Sequence, residues 1–300
     1  MTVPVLAANA RLTHCLRLPA CIAYHQPVRR MHPGPLNKTH RLSGGLEPMS
    51  RKKPIELPEV NFSEDGEIRY LHLGTEWIQG SMFLDRPYDI ELEYVQRMFA
   101  WLLFFPPEEV KGAHAMQLGL GAATITKFCY KKLKMTCTAI ELNPAVLHAC
   151  RGWFRLPPDD QRLRVVLADA ALEIQSDEWR GTVDALQVDL YDEEAAAPVL
   201  DTPDFYRRCR ELLSQQGCMT VNLFGRSSSY AESVEKICAA FGEDAVWAFK
   251  PTREGNAIVL AQRTASRPSR EALMSAATAI EDKWGLPAQK WFKVFKPLTQ

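Results

Sequence analysis

Five apolar runs recur between residues 113 and 225, and a stretch with helical spacing follows each of them. The runs are "AHAMQLGLG", "MTCTAIELN", "RLRVVLAD", "TVDALQVDLYD" and "CMTVNLFG". The helical stretches that follow them, in order, are "AATITKFCYKKL", "PAVLHACRGWF", "AALEIQSDEW", "TPDFYRRCRELLSQQG" and "YAESVEKICAAFG". Runs this apolar suit strands buried on both faces, and strands alternating with helices imply a parallel sheet covered on both sides. Two further runs, "AVWAFKP" and "NAIVLAQR", are separated only by "TREG" and predict an antiparallel pair that closes the sheet.

The remaining segments set the organisation. Within 55–84, "EIRYLHLG" and "TEWIQGSMFL" flank a turn at Gly74 and predict a small β-hairpin domain. "DIELEYVQRMFAWLLFF" has Ile90, Tyr94, Met98 and Leu102 at helical spacing, so one helix is expected up to Pro106-Pro107. The helix from Thr202 has that residue as its N-cap and Gly217 where a C-terminal glycine belongs. Residues 267–284 read as a helix, and the "KWFKVFKPLTQ" tail as a docked C-terminus. The expected division is a disordered basic leader over 1–50, the hairpin domain over 51–84, the domain of alternating strands and helices over 85–262, and a C-terminal helix and tail over 263–300. Residues 1–48 hold six Lys or Arg and one acid, which leaves 30 basic and 35 acidic residues from 49 onward. "MSRKKPIELPEV" at Met49 resembles a natural start.

A formal net charge of zero argues against a nucleic-acid binder that works by neutralising phosphates. No run of 18 apolar residues is present, so no membrane helix is expected. The eight cysteines form neither a CxxC pair nor a Cys/His ligand cluster, so no metal is expected. Most sit in apolar patterns, as in a reducing cytoplasm.

In an open parallel sheet, ligands bind beyond the carboxyl ends of the strands. Those ends carry Gly119 and Gly121, then Glu141, then Asp169, then Asp189. The glycines permit a tight turn and a close approach of ligand to backbone. Glu141, 22 residues after Gly119, can accept from both ribose hydroxyls. Asp169 can accept from an adenine amine while the Ala170 N–H faces a ring nitrogen, which together describe an adenosyl site. A dinucleotide fingerprint would need a third glycine where Thr124 stands. Plainer readings stand beside these. Asn143 and Asp169 also suit helix N-caps, Asp192 suits a solvated acidic turn with Glu193 and Glu194, and Asn222 suits a structural partner of nearby backbone.

The segments "LGLGAATITKF", "CTAIELNPAVL", "FRLPPDDQRLRVVLADA" and "VDALQVDLYDEEAAAPVLDTPDFYRRCRELLSQQGCMTVNLFG" resemble the spermidine synthases, the polyamine aminopropyltransferases, over roughly 68–262. The similarity is greatest to their divergent bacterial relatives. It implies an α/β fold: a methyltransferase-type, doubly wound, seven-stranded sheet with its last strand antiparallel, preceded by the small β-domain. It further implies that Gln79 contacts the co-substrate and that Asp189 is the general base. Asp192 would hold the diamine, with Tyr191 walling the amine channel. The implied reaction moves an aminopropyl group from decarboxylated S-adenosylmethionine to an amine such as putrescine, in a cytoplasmic homodimer. Three departures matter. Ala122 replaces an Asp that grips the co-substrate's amine, Asp89-Ile90-Glu91 keeps only the Glu of a Tyr-His/Gln-Glu triplet, and Glu193 replaces a Pro. The alternatives are an S-adenosylmethionine-dependent methyltransferase and a non-catalytic adenosyl-nucleoside binder.

Overall fold

The computed structural model describes residues 57–191, 200–224 and 229–299. The expected leader lies outside them, as do Asp192, Glu193 and Glu194. Strands β1 (Val60–Asp65), β2 (Ile68–Leu73) and β3 (Gly80–Phe83) form an antiparallel sheet in that order. The sequence pattern predicted only the β2–β3 hairpin. Strand β1 is added through a tight turn at Gly66, φ +58°, with Asp65 paired to Ile68. An Asp-Gly pair is itself a hairpin signal.

The long helix expected over 89–105 is not continuous. Helix α1 covers Glu93–Arg97, and a 3₁₀ segment follows at Ala100–Phe104. Met98 through Leu103 are all buried, so this stretch has no solvent face to set an amphipathic period. It runs through the core as a short, tight connector instead.

The main sheet is built from β4 (His114–Leu118), α2 (Thr124–Phe128), β5 (Thr136–Glu141), α3 (Pro144–Trp153), β6 (Leu163–Leu167), α4 (Ala170–Glu173), β7 (Val183–Val188), α5 (Pro203–Leu212), β8 (Leu213–Phe224), α6 (Ser229–Phe241), β9 (Val246–Phe249) and β10 (Asn256–Gln262). Helices α7 (Arg270–Trp284) and α8 (Ala288–Trp291) and strand β11 (Phe295–Pro297) complete it. The order is β11-β9-β10-β8-β7-β4-β5-β6. β4 pairs in parallel with both β5 and β7, and β10 runs antiparallel to both β8 and β9. The sheet therefore has eight strands, not the seven expected. The tail supplies the eighth, because Phe295 packs its ring 5.3 Å from Trp247 and 4.5 Å from Phe249 and covers the free edge of β9.

Two buried clusters flank the sheet. One holds Phe99, Trp101, Phe128 and Phe154, and the other Trp179, Phe205, Tyr206 and Phe241. Thr202 caps α5 by accepting from Phe205 N, as its sequence predicts. Gly217 does not end that helix. The chain enters β8 at Leu213, and Gly217 lies where the β7–β8 register shifts. A Cβ there would come within 2.6 Å of the Val183 carbonyl oxygen, so the glycine serves close strand approach.

Candidate active site

Strand order reverses between β4 and β7, the switch point at which an open α/β sheet leaves a crevice. Register places Val166, Ile140, Leu118, Val188 and Val221 in one row across five strands. One residue further on, Glu141, Gly119, Asp189 and Asn222 stand side by side. The ladder extends to this level through Gly119 N to Ile140 O at 2.9 Å and Asp189 N to Leu118 O at 3.0 Å. Neighbours in register share a face, so the strand-end carboxylates converge on one rim. Asp169 stands two residues beyond this level on the edge strand's loop. Asn222, which has a structural reading from sequence, occupies the fifth position of the same row. Counting each strand end in turn would have found it.

Glu141 is buried, and each oxygen is in use: Leu120 N donates to Oε2 at 2.9 Å and Asn143 N to Oε1 at 2.7 Å. Burial raises its pKa, and the backbone N–H groups of Asn143, Leu120 and Leu142 oppose that. Asn143 caps α3 by accepting from Ala145 N. Asp169 caps α4, its Oδ1 accepting from Ala171 N at 2.8 Å, with Ala170 as the helix's first residue.

The Gly loop is under tight steric control. Gly119 has φ +83°, and a Cβ there would lie 2.3 Å from the Asp189 carbonyl oxygen. Only glycine tolerates both conditions. Gln117, two strand positions inside the rim, ties the loop to α2. Its amide nitrogen donates to Gly119 O at 2.6 Å, and its oxygen accepts from Thr126 N at 3.1 Å. Strand β3 roofs the loop. The Gln79 carbonyl would lie 2.9 Å from a Cβ at Gly121, and Thr124 Oγ1 donates to Ser81 O at 2.7 Å.

Asp189 is partly buried and held from two sides. Asn222 Nδ2 donates to Oδ1 at 3.0 Å and the Tyr94 hydroxyl donates to Oδ2 at 3.3 Å. Loss of water raises the carboxyl pKa, and both donors oppose the rise. Tyr94, placed by its spacing on a helical face only, is thus a neighbour of Asp189. Glu91 instead accepts from the Ser81 hydroxyl at 2.8 Å. The Tyr191 hydroxyl donates to the Asn222 carbonyl at 2.7 Å. A narrow cleft lies here, lined by Gln79, Gly80, Tyr94, Gln117, Ala122 and Asp189 among others. Ala122 is buried, with its Cβ only 2.7 Å from where a Cβ on Gly80 would sit.

The polyamine aminopropyltransferase of Chromobacterium violaceum is 33% identical over 246 residues, covering 81% of this chain and 92% of that protein. The chain belongs to the polyamine aminopropyltransferase family. Among solved structures, a probable spermidine synthase from Corynebacterium glutamicum matches with a TM-score of 0.62 at 19% identity, over 80% of this chain and 88% of that one. Human methyltransferase-like protein 13, in complex with SAH, matches with a TM-score of 0.58 at 21% identity, over 65% of this chain and 93% of that one. These two likenesses bear on the fold, which the chain shares with a spermidine synthase structure and with a methyltransferase-like one. No family model matches the chain.

Proposed function

We propose that this protein transfers an aminopropyl group from decarboxylated S-adenosylmethionine to a small amine such as putrescine, releasing methylthioadenosine. The observation that carries the reading is Asp189: a partly buried carboxylate at the switch point, steadied by Asn222 and Tyr94, in a cleft roofed by β3. An alkyl ammonium, with a pKa of about 10.4, has no lone pair to offer at neutral pH, so a placed base is needed. The amine nitrogen attacks the carbon bonded to the sulfonium. Asp189 first takes a proton from that nitrogen to free its lone pair, and the carbon–sulfur bond then breaks with its electrons going to sulfur. Tyr191 borders the amine side, and Asp192 is assigned to the diamine's far end.

The nucleoside is assigned to the rim. From β7 to β6 the rim spans three strand spacings, roughly 14 Å, long enough for an adenosine and its sulfur. The two Glu141 oxygens offer about four lone-pair sites, more than the backbone N–H groups occupy, which leaves capacity for a ribose hydroxyl. Asp169 has a second oxygen besides the one that caps α4, and the Ala170 N–H precedes the capped one. Leu142, next in chain to Glu141, and Leu172, two residues past Ala170, are exposed apolar side chains that a purine would cover. In this reading 51–84 supplies the roof, with Gln79, and 85–262 the nucleoside-binding sheet. The assignment to a cytoplasmic homodimer rests on family membership.

Methyl transfer from S-adenosylmethionine is a second reading, favoured by one observation: Ala122 brings no acid to the Gly loop. Calorimetry with methylthioadenosine, S-adenosylhomocysteine and decarboxylated S-adenosylmethionine separates the two. Tighter binding of methylthioadenosine, with spermidine formed from putrescine, is expected. Preference for S-adenosylhomocysteine, with no polyamine product, would reject aminopropyl transfer.

A further inference from the structure

Behind Asp189 stand two amides in series. Asn222 Nδ2 donates to Asp189 Oδ1 at 3.0 Å, and Asn256 Nδ2 donates to Asn222 Oδ1 at 3.1 Å. Each comes from a different strand: Asp189 from the end of β7, Asn222 from β8 and Asn256 from the start of β10. A carboxamide has one donor end and one acceptor end, so the direction of one bond dictates the next. With Asn256 giving a proton to the Asn222 oxygen, the Asn222 nitrogen must face Asp189. A donor aimed at a carboxyl group favours its ionised form. The reverse order of amides would present an oxygen to Asp189 and favour the protonated acid.

We infer that Asn222 and Asn256 are positioning residues that keep Asp189 ionised and oriented as a base, with the antiparallel strand β10 fixing the sense of the pair. This rests on the proposed role of Asp189. Other groups around it do not replace the pair. From α1 comes the Tyr94 hydroxyl, at the longer 3.3 Å. From its own chain comes Tyr191, whose hydroxyl is committed to the Asn222 carbonyl. Glu91 acts on Tyr94 and Asp201 on Tyr191, both as further negative charges. Glu141 lies beyond the Gly loop on β5. Among the described residues no Lys, Arg or His forms an ion pair with Asp189. The neutral amides therefore supply what a neighbouring cation would supply elsewhere.

The test uses the full chain with ¹³C-labelled aspartate. The Asp189 carboxyl resonance is identified by its loss in Asp189→Asn and titrated by NMR. In parallel, kcat/KM is followed against pH with decarboxylated S-adenosylmethionine and putrescine. In Asn222→Leu the midpoint is expected to move up by about one pH unit, read as a roughly tenfold lower kcat/KM on the acid side with the high-pH plateau kept. Asn256→Asp should move it upward as well, although residue 256 does not touch Asp189. Its carboxylate would turn the Asn222 amide round to donate to it. Asn256→Leu should give a smaller shift in the same direction. Asn256 is partly exposed, so its variants test the pair even if Asn222→Leu does not fold. An unmoved midpoint in the folded variants, or an equal loss of rate at every pH, overturns the inference. The titration needs no turnover. Wild-type protein that transfers nothing would sink the proposed reaction, while the midpoints would still decide the role of the amides.

Discussion

At Asp189 the loss of water around the carboxylate raises its pKa, and Asn222 and Tyr94 offset the rise only in part. A raised folded-state pKa means the neutral form is favoured by folding. That contribution is full below the ordinary carboxylate range and is lost as pH rises through the folded value. The ionised carboxylate thus costs stability at neutral pH. Asp189→Asn is expected to raise the thermal midpoint by about 2–4 °C, the effect of roughly 1 kcal/mol in a domain of this size. The same variant should lower turnover at least about 100-fold, in line with the loss of a general base, while methylthioadenosine affinity persists. Calorimetry and a turnover assay check the three parts separately. A lower midpoint with retained turnover would remove both the strain and the role. Glu141 carries the same sign of shift for the same cause. The acids at the strand ends were legible as single letters. Tyr94 and Asn222 were not legible as their partners, because Tyr94 reaches Asp189 across 95 positions of sequence.

Elements are held to one another by groups that break local rules. Lys127 on α2 is only 1% exposed, and its Nζ donates to the Phe154 carbonyl at 2.7 Å, past the end of α3. Burial lowers its pKa to about 7. Between that value and the ordinary lysine range, the unfolded chain binds a proton that the folded chain does not. Stability should therefore rise with pH across this window, by at most about 1.4 kcal/mol per pH unit. Lys127→Met should flatten the rise, as measured by urea unfolding at pH 7, 8 and 9. Gly217→Ala puts a Cβ 2.6 Å from the Val183 carbonyl and should cost about 1–3 kcal/mol in the same assay. An unchanged unfolding midpoint would mean that the strands can part there without penalty. In sequence, Gly217 after a helical stretch has every mark of a C-terminal glycine. The helix ends sooner because Leu213 already pairs with Val183.

The small sheet and the main sheet meet where β3 roofs the Gly loop, and Arg69 clamps them. Its guanidinium donates to the Trp153 carbonyl at 2.5 Å, pairs with Glu64, and lies 5.2 Å from the centre of Phe62. Arg69→Met should weaken methylthioadenosine binding about tenfold through the roof while changing kcat little, which nucleoside titration and steady-state kinetics check. A changed kcat with unchanged affinity would place the clamp's effect elsewhere.

The sequence alone determined the alternation of strand and helix, the Asn143 and Thr202 caps, and the glycines and acids at successive strand ends. Each depends on residue types a few positions apart, and local backbone preference is enough to place them. Only the tertiary structure decided the break in the 89–105 helix, the eighth strand from the tail, and the amide pair behind Asp189. Those follow from strand order and register, which long-range burial sets and which no window of neighbouring residues contains.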